Sequence, residues 1–189
     1  MAYQKLNLNP YLNHKGISWT TPHREIAASL EHLGLSLPGE ALPHDEEVIL
    51  NDIPFQFPKT DEAFDHISCE GQEIRMDRVQ GVRSLYILGC CSHGDYEEKG
   101  ALVFADDAVE SILFRLSYMA RWHWDHRLTF DDQMGLHTAY HRSGHSRLDI
   151  GAGIWMNRIG MACDRPLQAI RLPDNPYMHI FAMTLETDS

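Results

Sequence analysis

The sequence predicts an all-β protein, an antiparallel jelly-roll β-sandwich with at most one or two short helices. Short apolar or alternating runs recur at roughly 8–12-residue spacing, as they do in sandwiches and barrels. Gly, Pro, Asn and Asp punctuate them at the positions turns require. Only one segment carries a helical period.

The runs can be justified in order. EVILNDIPFQFP (47–58) is an apolar run, an Asn-Asp turn, then Ile53, Phe55 and Phe57 alternating with Pro54 and Gln56, which is a hairpin signal. HISCEGQEIRM (66–76) repeats the design around Glu70-Gly71. SLYILGCCSHG (84–94) is nearly all apolar, as a central strand covered on both faces would be. ALVFADDAVESILFRLS (101–117) is two runs joined by residues 105–108, with Ile112, Phe114 and Leu116 on one face. DIGAGIWMNRIGM (149–161) is broken by glycines, a sign of a bulge or a close backbone approach. LQAIRLPDNPYMHIFAMTLE (167–186) is a strand, a Pro-Asp-Asn-Pro turn and a final strand. In that last strand alternation sets Ile180, Ala182 and Thr184 on one face and His179, Phe181, Met183 and Leu185 on the other. The helical candidate is TPHREIAASLEHLG (21–34), with Thr21 as cap, Pro22 at the first position, Ile26, Leu30 and Leu33 on one face, and Gly34 to end it.

A chain of 189 residues is long enough to bury a full core, and the expectation is one domain over 1–189, with an insertion or long loops around 118–160. A net charge of −11 argues against sequence-independent nucleic-acid binding and against an anionic membrane surface. No apolar run reaches the ~20 residues of a spanning helix. The opening MAYQKLNLNPYLNHKG has no signal-peptide core, so a cytoplasmic location is expected. Cys69, Cys90, Cys91 and Cys163 form no CxxC pair and read as small apolar fillers in a reducing compartment.

Six blocks resemble a bacterial β-sandwich module appended to secreted glycoside hydrolases. They are LNLNPYLNHKGIS (6–18), LSLPGEALP (35–43), DIPFQFP (52–58), GQEI (71–74), SLYILGCC (84–91) and LPDNPYMHIFAMTL (172–185). The resemblance implies a galactose-binding-like jelly roll and a carbohydrate-binding or accessory role. It does not extend over 118–160.

That uncovered stretch holds the densest chemistry, RWHWDHR (121–127). Trp122 and Trp124 share one strand face with His126, while Arg121, His123 and Asp125 take the other. Two tryptophans offer a flat surface for a sugar ring, with Arg121, Asp125 and His126 to meet hydroxyls and Trp155 as a third wall. Core packing of the same tryptophans is the structural alternative.

A metal centre would need histidines drawn from different segments. His123, His126, His137, His141 and His145 are too far apart along a strand, about 13 Å for four residues, to serve one ion as neighbours. Asp125 beside His126 points to the opposite face, Asp131-Asp132 reads as a turn, and no nucleophile, zinc or phosphate motif occurs. The sequence therefore assigns no catalytic residue, no metal and no cofactor. The expectation is a non-catalytic carbohydrate-binding or accessory sandwich. A metal-dependent cupin-like enzyme and a protein–protein module, dimeric through a sheet face or the 118–160 insertion, stay open.

Overall fold

A computed structural model describes residues 1–30, 34–121, 129–130 and 132–188, the side chains of Arg121, Ala162 and Cys163 aside. The strands are β1 (Ala2–Lys5), β2 (Ile17–Thr21), β3 (Arg24–Ile26), β4 (Leu35–Pro38), β5 (Glu47–Leu50), β6 (Ile53–Gln56), β7 (Ile67–Glu70), β8 (Glu73–Val79) and β9 (Val82–Cys91). They continue as β10 (Tyr96–Phe104), β11 (Val109–Leu116), β12 (Ala120–Arg121), β13 (Gln133–Thr138), β14 (His141–Ser143), β15 (Ser146–Leu148), β16 (Gly151–Cys163), β17 (Leu167–Arg171) and β18 (Asp174–Thr187). Two single 3-10 turns, Asn9–Tyr11 and Gly39–Ala41, are the only helical elements among the described residues. Among the described residues no helix is long and apolar enough to cross a membrane.

The main sheet runs β1-β18-β9-β16-β12, with β7 also on β18 and β13 also on β16. A four-stranded sheet, β11-β10-β17-β8, covers one of its faces, and the β5-β6 hairpin with the sheet β15-β14-β4-β2-β3 covers the other. β9 is therefore buried on both sides, as its unbroken apolar run predicts. Leu85, Ile87 and Cys91 face the first core, and Tyr86, Leu88 and Cys90 the second. Two covered faces need two sets of apolar side chains, which is why alternation is lost in this strand.

β18 departs from simple alternation. Its register against β9 shifts between Ile180 and Ala182, so Phe181 is the extra residue of a bulge. Below the bulge Met178 and Ile180 face the first core; above it Met183 and Leu185 do, while His179, Phe181 and Ala182 belong to the second side. A bulge adds one residue to a period of two, so strict alternation puts Met183 and Leu185 on the wrong face.

The predicted 47–58 hairpin is present. Asn51 and Asp52 adopt φ of 48° and 67°, the left-handed pair a two-residue turn needs. The 101–117 hairpin is present too, as β10 against β11. Residues 66–76 form a corner instead of a hairpin: β7 joins the main sheet while β8 crosses to the four-stranded one. The helix expected over 21–34 is absent from its described part. Residues 21–26 form a hairpin in which Pro22 and His23 are the turn, so the proline sets φ for a turn and not for a first helical position. Trp19 pairs with Ile26 across it, and Arg24 lies 4.4 Å over the Trp19 ring.

The β5-β6 hairpin is clamped by Phe55, which is fully buried, and by the Thr184 hydroxyl donating to the Pro54 carbonyl at 2.6 Å. Phe55→Ala should cost about 3–5 kcal/mol, the usual range for an emptied phenylalanine site. Urea denaturation followed by circular dichroism checks it; a loss under 1 kcal/mol would mean that this hairpin is not part of the cooperative core.

Candidate functional site

The site is built around one buried carboxylate. The chain leaves the first 3-10 turn and runs antiparallel to residues 65–66, with the Asp65 amide donating to the His14 carbonyl at 3.0 Å and the His14 amide to the His66 carbonyl at 3.2 Å. This register brings the amides of Gly16 and Ile17 onto the Asp65 carboxylate at 2.9 and 3.0 Å. Lys15 Nζ adds an ion pair at 2.9 Å, and His66 Nδ1 approaches at 2.8 Å. Gly16 is needed for the approach: a Cβ there would sit 2.4 Å from Leu30 Cδ2 and 2.7 Å from His66 Cε1.

Asp65 is 0% exposed, and burial alone would raise its carboxyl. The His66 hydrogen bond, the Lys15 ammonium and the Gly16 amide outweigh it, holding the carboxyl below its ordinary range. An ionised Asp65 can only accept, so His66 Nδ1 carries the proton between them. His66 Nε2 then meets His179 Nδ1 at 3.1 Å, and His179 Nε2 meets Ser92 Oγ at 2.9 Å. Where His66 keeps Nε2 free to accept, the proton order runs one way: Ser92 donates to His179, His179 to His66, and His66 to Asp65.

Packing holds this order. The Phe181 ring lies 5.0 Å from that of His66 and stacks on Phe57 at 6.0 Å. His179 is fully buried, and burial, then the neighbouring His66, His14 and His93, pushes its pKa well below 6.5. His14 caps the cluster, its ring 5.1 Å from His66 and 6.2 Å from His179. Burial, then His66, lowers its pKa as well, and its Nδ1 is buried with no hydrogen-bond partner.

His14 also lines an open cleft of about 610 Å³, with Ser68 and Glu70 of β7, the Ser29-Leu30 segment, and Pro176 and Tyr177 of β18. Asn13 holds Ser68 by two backbone hydrogen bonds of 2.8 and 3.1 Å, and the Ser68 hydroxyl donates to Pro176 O at 2.9 Å. Tyr177 is 39% exposed, stacked on Tyr96 at 6.0 Å and tilted against His93 at 4.8 Å.

The residues singled out in the sequence lie elsewhere. Trp122, His123, Trp124, Asp125 and His126 are outside the described residues, as is Asp131. Arg121 is placed only by its backbone, opposite Gly151. Trp155 is 1% exposed, its indole donating to the Tyr118 carbonyl at 3.0 Å and its ring lying over Gly153, where a Cβ would come within 2.3 Å. That glycine is the close approach its segment predicts, and it leaves Trp155 no ring face open to solvent.

His141 is buried with Nδ1 on Ile150 O at 2.8 Å, His145 is exposed 3.6 Å from Glu25, and His137 is exposed on β13. Among the described residues no three His, Cys, Asp or Glu side chains are grouped to hold a metal ion. Asp132 is no surface turn residue: it is buried, accepting from the Ser117 amide at 3.1 Å and Asn157 Nδ2 at 2.7 Å. Cys69, Cys90 and Cys91 are free and buried, and burial pushes their thiols far up, as fillers would have them.

Two outcomes are expected. Asp65→Asn leaves Lys15 without its counter-charge and should cost about 3–5 kcal/mol in urea unfolding. Separately, His14 and His179 have folded pKa values below 6.5, so the unfolded chain takes up their protons first. Their contribution is fully present above pH 6.5 and is lost as pH falls from there through the folded values. His179→Asn should flatten that acid limb of the stability curve; an unchanged limb would assign it to other groups.

A comparison with curated proteins finds no match. A family model described as the AziU2-like beta-sandwich domain matches residues 2–189. The two covered faces of the main sheet agree with that description, and the chain belongs to the AziU2-like β-sandwich domain family.

Proposed function

We propose that this sandwich binds a small polyhydroxylated ligand, a carbohydrate or a close analogue, in the cleft between His14 and Tyr177. The observation that carries the reading is the exposed Tyr177 ring, backed by Tyr96, beside a rim that offers Glu70, Ser68 and His14. A sugar presents a C–H face to an aromatic ring and hydroxyls at its edge. Glu70 accepts from hydroxyls, and a neutral His14 can accept or donate. The cleft volume is within the range of small-molecule sites. The family-like blocks 6–18 and 172–185 supply His14 and Tyr177, which supports the accessory-module reading they suggest.

The RWHWDHR platform is a second place for the same chemistry, and one set of variants separates the two. On a glycan array followed by calorimetry, Tyr177→Ala should weaken binding at least about tenfold, ~1.4 kcal/mol, with the fold unchanged. Trp122→Ala with Trp124→Ala should leave it within about twofold. If the tryptophan pair abolishes binding and Tyr177→Ala does not, the ligand sits on the platform. If no glycan binds the wild type, the carbohydrate reading fails.

A further inference from the structure

Beneath the cleft, the hydrogen-bonded order Ser92–His179–His66–Asp65 has the parts of a nucleophile, a base and the groups that orient the base. We propose that Ser92 is a relay-activated nucleophile for acyl transfer from small carboxylic esters. The inference stands apart from what the cleft binds. Its three links are 2.9, 3.1 and 2.8 Å, each within proton-transfer reach. In a two-imidazole relay His179 takes the hydroxyl proton at Nε2. As it does so, its Nδ1–H bond to His66 strengthens, and Asp65 anchors the far end through His66 Nδ1.

Two further features mark Ser92. It follows the last residue of β9, where the chain turns through His93 at φ 68°. Its amide donates to the Tyr177 carbonyl at 2.9 Å, while the Tyr177 ring leans on His93, so the cleft wall is also the cover over the serine. Ser92 is 0% exposed in this closed form, and displacement of the Tyr177 segment is the step that admits an ester.

The chemistry balances without a cofactor. Ser92 Oγ bonds to the ester carbonyl carbon and its proton passes to His179 Nε2. The carbon–alkoxide bond breaks, and the alkoxide leaves with that proton as an alcohol. Water gives a proton to His179 Nε2 and bonds to the acyl carbon, the bond from that carbon to Ser92 Oγ breaks, and His179 returns the proton to Oγ as a carboxylic acid leaves. His66 and Asp65 touch no substrate and act as positioning residues.

A biotinylated fluorophosphonate tests this on the whole chain: the Oγ–P bond forms, the P–F bond breaks, and fluoride leaves. Peptide mass spectrometry should place the adduct on Ser92, and Ser92→Ala, folded by circular dichroism, should lose it. His179→Gln should slow labelling about 100-fold or more. Tyr177→Ala should speed it by thinning the cover, the reverse of its expected effect on glycan binding. An adduct absent from both the wild type and Tyr177→Ala overturns the proposal. So does one on another residue, or labelling undiminished in folded His179→Gln.

Discussion

The Asp65 carboxylate is the constraint on which the rest of the site depends. A charge at zero exposure is unaffordable unless every oxygen is met, and here four donors meet it: two amides, an ammonium and an imidazole. Three of the four come from consecutive residues, Lys15, Gly16 and Ile17, so satisfying one carboxylate fixes the path of the N-terminal segment against residues 65–66. The fourth, His66, converts the same charge into a defined tautomer and passes it on. One electrostatic requirement therefore links the N-terminal segment, β7, β18 and the end of β9.

The sheet supplies what this arrangement needs from packing. A main sheet covered on both faces gives interior positions on each side of β18 and β9. The bulge at Phe181 turns the strand so that the Met183 half serves one core while His179 and Phe181 stay on the other side. Without that extra residue, alternation would not let Ile180 and Met183 share a core. The bulge thus reconciles two hydrophobic layers with one buried polar chain, and Phe181, stacked on Phe57 and leaning on His66, ties the two together.

Much of the fold was legible in the sequence because strands and turns are local. The β5-β6 turn, the β10-β11 turn and the doubly buried β9 follow from neighbouring residues alone. What failed failed for non-local reasons. Pro22 serves a turn as well as a helix start, and only pairing with β2 decides between them. Glu70-Gly71 marks a turn without saying whether the next strand stays in the same sheet. The bulge in β18 is set by its partner β9, so no alternation rule could find it.

The site was less legible still. RWHWDHR drew attention because its chemistry is contiguous, whereas Asp65, His66, Ser92 and His179 span 28 residues and then 87 more before they meet. Some signal existed: Asp65 and His66 are adjacent in the sequence. The central claim is the proton order imposed by Asp65, and nitrogen-15 NMR of the imidazoles at pH 7.5 tests it most directly. The account predicts His66 and His179 both neutral and both protonated at Nδ1, with unprotonated Nε2 resonances. A His179 protonated at Nε2, or a doubly protonated His66, would contradict it.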